Sequence, residues 1–197
     1  MILVLKPGSL NEHDGTIISK CEKILMNLRK SAITGIMFAL CFLQAVIAAE
    51  ATGKAPECTL TTQKDGRSLN LQQFHGKVIY VDFWASWCAP CAKSFLFMND
   101  LNHEFEKKGL QIIAINLDEA GEDAKAFLEQ YPADFTIAVD KAEQCAKAFQ
   151  VKAMPSSYLI DSSGIIRHVH LGFRADETAQ LRTLIEQLLA EGSVKKK

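Results

Sequence analysis

Val78-Ile79-Tyr80-Val81-Asp82-Phe83-Trp84-Ala85, followed after one serine by Trp87-Cys88-Ala89-Pro90-Cys91, decides how this chain folds. The first segment is a nearly continuous apolar run, as expected of a strand covered on both faces. The second opens a stretch in which Phe95, Met98, Leu101 and Phe105 recur at helical spacing until Gly109 stops it. A buried strand therefore delivers a Cys-x-x-Cys pair to the start of a helix. Helix N-termini carry unpaired backbone N–H groups and the positive end of the helix dipole. Both stabilise a thiolate, which is the nucleophile in disulfide exchange.

Other uses of two cysteines at this spacing fit less well. A structural zinc site needs four ligands, and iron–sulfur ligation fails on the same count. No second Cys-x-x-Cys and no His-x-x-x-His follows. A purely structural disulfide over so short a loop would constrain little chain entropy. Redox exchange by a reversible Cys88–Cys91 disulfide is the reading that motif and context favour. Cys88 is the expected nucleophile, exposed at the helix start. Cys91, one turn deeper, would attack Cys88 to release the reduced partner. Asp82, six residues before Cys88 on a buried strand, should have a raised pKa and could take the proton from Cys91. A structural Asp bonded to backbone at a strand end is the alternative. Trp87 would shield the sulfurs and offer partners an apolar contact, and Trp84 reads as core. Neither a cofactor nor a metal is needed for this chemistry. His75, His103, His168 and His170 are scattered and suggest no ligand set.

Outward from this centre the pattern alternates. A hairpin is expected over 57–71, turning at Asp65-Gly66. A second buried strand follows at 110–117, then an amphipathic helix at 122–130 closed by Tyr131-Pro132. A short strand at 135–139 and a helix at 141–149 come next. Strands at 158–161 and 165–173 pair around Ser162-Ser163-Gly164, and a helix at 176–190 ends the domain. Alternation of this kind gives an α/β sandwich with a mainly parallel centre and an antiparallel edge.

The N-terminal part is not expected to belong to this domain. Basic residues within 27–31, an apolar run over 32–43 and small residues over 45–51 read as a secretory signal peptide. Met26 stands where the initiator of such a peptide should be, so 1–25 reads as an over-long start. The division is then a leader at 1–25, a signal peptide at 26–49, a domain at 55–191 and a basic tail at 192–197. The rival for 32–49 is an uncleaved inner-membrane anchor, interrupted by Gln44. Export places the protein in the periplasm, where disulfides persist. Cys58, Cys88, Cys91 and Cys145 survive cleavage. Cys58 and Cys145 could form a second disulfide, or each could be a small buried apolar residue. The 22 Lys and Arg nearly balance the 23 Asp and Glu, which leaves no basic excess for nucleic acid.

The stretch from Val81 to Cys91 resembles the thioredoxin superfamily. Val151-Lys152-Ala153-Met154-Pro155-Ser156-Ser157-Tyr158 looks like that superfamily's cis-proline segment. Ala55-Pro56-Glu57-Cys58-Thr59-Leu60, Gly76-Lys77 and the extra helix and strand at 122–139 resemble its TlpA/ResA-like extracytoplasmic branch. The resemblance implies a thioredoxin-like fold: a central mixed sheet flanked by helices, with an N-terminal hairpin and an inserted helix–strand unit. It also implies a cis Met154–Pro155 bond whose backbone pairs with a substrate chain beside the dithiol. Implied partners are thiol or disulfide proteins of the exported compartment, of the apocytochrome c or copper-centre assembly type. A membrane electron donor would re-reduce the protein, which touches the membrane itself only if its N-terminal segment stays uncleaved. The chain departs from the branch at Ala92-Lys93-Ser94-Phe95-Leu96, where many relatives carry a Glu and then a Pro. Leu96 keeps its N–H, and no helix Glu is there to act in acid–base chemistry. The expected function is an exported thiol–disulfide oxidoreductase working mainly as a reductase. A disulfide oxidant or isomerase, or a non-catalytic copper-handling module, are the alternatives.

Overall fold

The structure, a computed structural model, describes residues 53–194. The leader, the signal peptide or anchor, and the last three lysines lie outside the described residues. Strands are β1 (Thr59–Thr62), β2 (Ser68–Asn70), β3 (Val78–Trp84), β4 (Leu110–Asn116), β5 (Thr136–Val139), β6 (Ser156–Ile160) and β7 (Ile166–Leu171). Helices are α1 (Ala89–Phe105), α2 (Gly121–Gln130), α3 (Gln144–Ala148) and α4 (Thr178–Val194).

The strands form one sheet in the order β2-β1-β5-β4-β3-β6-β7. β3, β4 and β5 run parallel, joined by crossovers through α1 and α2. β6 and β7 extend the sheet antiparallel beyond β3, and the β1–β2 hairpin extends it antiparallel beyond β5. The parallel centre and the antiparallel β6–β7 edge match the alternation of elements, and the hairpin makes the opposite edge antiparallel as well. Every residue of β3 is buried, which accounts for its unbroken apolar composition.

Because side chains alternate along a strand, β3 supplies two cores. Val78, Tyr80 and Trp84 face Phe95, Met98 and Leu101 of α1, Phe127 of α2, and Leu181, Ile185 and Leu188 of α4. Ile79, Val81 and Phe83 face the opposite way, onto Cys145 and Ala146 of α3 and Leu60 and Leu69 of the hairpin. Trp84, Phe95 and Phe127 stack with centroids 4.8–5.1 Å apart and fix α1 and α2 against β3. Among the described residues no helix is long and apolar enough to cross a membrane.

Of the boundaries that differ from the sequence reading, three have a cause in specific contacts. α3 begins at Gln144 rather than at 141, because the Asp140 carboxylate accepts the N–H groups of Gln144 (3.0 Å) and Ala146 (2.9 Å). Glu143 consequently sits at φ 50°, outside helical geometry. β6 starts at Ser156, two residues early, since the buried Ser156 and Ser157 pair with Phe83 and Asp82. α4 continues to Val194 instead of ending at 190, carried on by Leu188 in the core and Glu191 paired with Arg167. α1 runs unbroken through Leu96, as a helix without an internal proline should.

Candidate active site

Parallel strands that end together leave a crevice at their C-terminal edge, and this is where ligands of open α/β sheets bind. Here the edge is formed by the loops after β3, β4 and β5 and by the loop that enters β6. Cys88 is the N-cap of α1, with extended backbone (φ −86°, ψ 92°) and no side-chain cap. Its N–H donates to Ala85 O (3.1 Å), and its own carbonyl accepts from Cys91 N–H (2.9 Å). Pro90 fits the first turn because no helical partner exists there for an N–H. No acidic residue occupies that turn, so the helix dipole acts on the cysteines unopposed by a local carboxylate. Cys88 and Cys91 are joined as a disulfide with Cα atoms 5.4 Å apart.

One expectation is corrected here. Cys88 is not broadly exposed: it is 4% accessible, and Cys91 is fully buried. Both cysteines belong to one buried hydrophobic cluster, against which Met154 also packs. Trp87, next to Cys88 in the chain, does project, at 73% accessibility.

Asp82 is fully buried, between Tyr80 and Trp84 on the face of β3 that receives Cys91. Its Oδ1 accepts the Ser157 hydroxyl at 2.6 Å. Its Oδ2 is buried and has no hydrogen-bond partner. Burial pushes the carboxyl up to about 7, against the smaller opposing pull of the Ser157 bond. The alternative of an Asp tied to backbone at a strand end does not match this geometry. Trp84 is core as expected, although its indole N–H is also without a partner.

Met154–Pro155 is a cis peptide bond. Pairing of Phe83 with Ser156 sets Pro155 level with the point where β3 leaves for the Cys-x-x-Cys loop. The Pro155 carbonyl accepts Gly172 N–H (2.8 Å), and Ser156 Oγ donates to Ala153 O (2.6 Å). These bonds hold the turn from both sides.

Two further residues shape the site and escape a reading of the sequence. Asp118, in the loop after β4, accepts Ser86 N–H (3.0 Å), Ser86 Oγ–H (3.0 Å) and the Asn116 amide (2.7 Å). It clamps the segment that carries Trp87 and Cys88. An acidic residue in a loop gives no sequence signal for this. Ser157 gives a faint one, as one of two small polar residues, with Ser156, in the buried β6. Cys58 and Cys145, for which the sequence allows either state, are joined as a second disulfide with Cα atoms 5.3 Å apart. His103 pairs with Asp134 (2.8 Å) and His170 with Glu177 (3.1 Å), and the His168 and His170 rings lie 6.4 Å apart. Among the described residues no group of three or more His, Cys, Asp or Glu side chains is placed to hold a metal ion.

Residues 50–185 match the Redoxin family. The thiol–disulfide oxidoreductase ResA of Bacillus thuringiensis subsp. konkukian is 37% identical over 112 residues, 57% of this chain. That alignment spans 65% of the relative's own length. ResA of Bacillus anthracis is 33% identical over 125 residues, covering 64% of this chain and 72% of the relative. Among solved structures, a Chlorobium tepidum protein assigned as a thiol:disulfide interchange protein, DsbE, superposes with a TM-score of 0.67 at 42% identity. That superposition covers 70% of this chain and 96% of the other. Family match, relatives and fold agree: the chain belongs to the Redoxin family, as a ResA-like member of the thioredoxin superfamily.

Proposed function

We propose that this protein is a thiol–disulfide oxidoreductase that works through Cys88 and Cys91 and mainly reduces disulfides in exported proteins. The observation that carries the reading is the bonded Cys88–Cys91 pair at the α1 N-terminus, facing the cis Met154–Pro155 turn across the sheet edge. In the reduced protein, the Cys88 thiolate attacks a partner disulfide and one partner sulfur leaves as a thiolate. The Cys91 thiol gives its proton to Asp82 and attacks Cys88 Sγ. The Cys88–Cys91 bond forms as the mixed disulfide breaks, and the second partner sulfur leaves. Two electrons pass from the dithiol to the partner.

The Met154 backbone makes no hydrogen bond among the described residues, which suits it to pair with an extended partner segment. Trp87 and the Met154–Pro155 turn would flank that segment. The resemblance to extracytoplasmic relatives favours apocytochrome c or copper-centre assembly proteins as partners. It equally favours a membrane electron donor, and a signal peptide or anchor at 26–49 ahead of a domain at 55–191.

Insulin reduction by the wild type and by Cys88→Ser tests the dithiol; equal activity in both would remove it from the chemistry. The measured reduction potential tests direction. A value near that of thioredoxin supports a reductase, whereas one near about −120 mV, as oxidising as DsbA, would make the protein an oxidant. Cys91→Ser expressed in the exported compartment should accumulate mixed disulfides, and their identities would name the partners.

A further inference from the structure

Burying a carboxyl group with one oxygen bonded and the other orphaned is costly, and such an exception calls for an explanation, a catalytic role among them. Asp82 is in that state: Oδ1 accepts Ser157 Oγ–H, and Oδ2 accepts nothing. Ser157 is itself 3% accessible and is the direct cross-strand partner of Asp82 in the β3–β6 pairing. It lies two residues after Pro155, on the strand that the substrate-facing turn feeds. We propose that Ser157 is a positioning residue for proton transfer: it occupies Oδ1, so that Oδ2 alone exchanges a proton with Cys91. This deepens the role proposed above for Asp82 and rests on it.

The surroundings support the assignment. On β3, Tyr80 shares the face of Asp82, is buried, and contacts Ser157 as well as the Asp82 charge. Burial holds the Tyr80 phenol far above its ordinary value, so it remains a neutral hydroxyl. From α1, Cys91 and the Cys88 to which it is bonded enter the same cluster. On β7, His170 is the cross-strand partner of Ser157, but its ring is paired with Glu177 at 3.1 Å, beyond the strand. Ser157 is therefore the one group that hydrogen-bonds the Asp82 carboxylate among the described residues. In the transfer, the Cys91 S–H bond breaks and its proton forms an O–H bond on Oδ2. The freed sulfur pair attacks Cys88 Sγ and expels the partner thiolate. When the next partner disulfide is met, the proton has left Asp82 for solvent.

The test follows resolution of a mixed disulfide between Cys88 and thionitrobenzoate, read as release of thionitrobenzoate across pH. In the wild type the rate falls at acid pH as Asp82 protonates. Ser157→Ala removes the one donor to the ionised form, so the acid limb should move up by about one to two pH units. At pH values below both limbs, the rate should then be lower by about tenfold for each pH unit the limb has moved. Ser157→Thr keeps the hydroxyl and should bring the limb back towards the wild-type position. A carboxyl-carbon NMR titration of Asp82 in the same variants reports its ionisation without turnover. An unmoved limb and titration in Ser157→Ala, while Asp82→Asn abolishes the limb, would overturn the role of Ser157 alone. A limb that persists in Asp82→Asn would instead overturn the role of Asp82, and this inference with it.

Discussion

Removing the Cys58–Cys145 disulfide should cost this domain about as much stability as a large core truncation. The bond closes a loop of 87 residues in sequence and ties the segment ahead of β1 to α3. In the chain-entropy treatment such a loop restricts the unfolded chain by about 4.6 kcal/mol at 25 °C. Packing of the sulfurs adds less, since Cys145 is fully buried but Cys58 sits at the margin. The two contributions can be told apart by additivity. Cys58→Ala alone already breaks the cross-link, and so does Cys145→Ala. Each single variant should therefore lose about 3–5 kcal/mol, and the double variant hardly more than either. Urea unfolding under conditions that keep Cys88–Cys91 oxidised measures this. The slope of stability with urea should also rise, because the unfolded chain becomes less compact. If the two single losses were each below about 1 kcal/mol and simply added, the sulfurs would act as small apolar residues and the cross-link reasoning would be wrong.

Asp82 makes a prediction in pH. Its folded pKa of about 7 lies above the ordinary 3.8, so the unfolded state holds fewer protons between those values. Its contribution is then fully present below about pH 4 and is lost as pH rises through about 7. Asp82→Asn, which cannot ionise, should gain about 3–4 kcal/mol relative to wild type between pH 4 and pH 8, by urea unfolding at each pH; a difference that does not vary with pH would count against burial as the cause. Asp118→Ala removes the acceptor for both Ser86 groups and the Asn116 amide, and should cost about 1.5–3 kcal/mol while slowing thiolate attack by Cys88. Unchanged unfolding and unchanged alkylation of the reduced protein would show the clamp to be idle. Trp87→Ala should change stability by no more than about 0.5 kcal/mol, since the side chain is 73% exposed. It should raise KM for protein disulfides but not for a small reagent such as dithionitrobenzoate; an equal effect on both would argue against a partner-facing role.

Legibility in the sequence follows a physical division. β3 and α1 are legible because period and composition respond to burial on local scales. An apolar run, a Cys-x-x-Cys pair and a 3.6-residue recurrence need nothing from the rest of the chain. Asp82 is legible for the opposite reason, since a lone carboxylate inside such a run conflicts with its surroundings, and conflicts of that kind gather at functional sites. The start of α3 is not legible. Asp140 reaches across the turn to two N–H groups, and that side-chain contact outweighs the helical propensity of the residues at 141–143. Pairing of Cys58 with Cys145 is beyond reach because it depends on the distance between β1 and α3, which only the order of strands in the sheet sets. Ser157 and Asp118 share this dependence, as each acts on a residue at least 32 positions away in sequence. The sulfurs are thus announced by local sequence, whereas the groups that bond Asp82 and the loop carrying Cys88 come from non-local register. The accessibility of Cys88 belongs to that second class. A helix start is exposed in isolation, yet here the bonded Cys88 is 4% accessible, within the cluster where Met154 packs. Attack on a partner therefore requires the reduced Cys88 side chain to face outward, so accessibility at this position should itself track redox state.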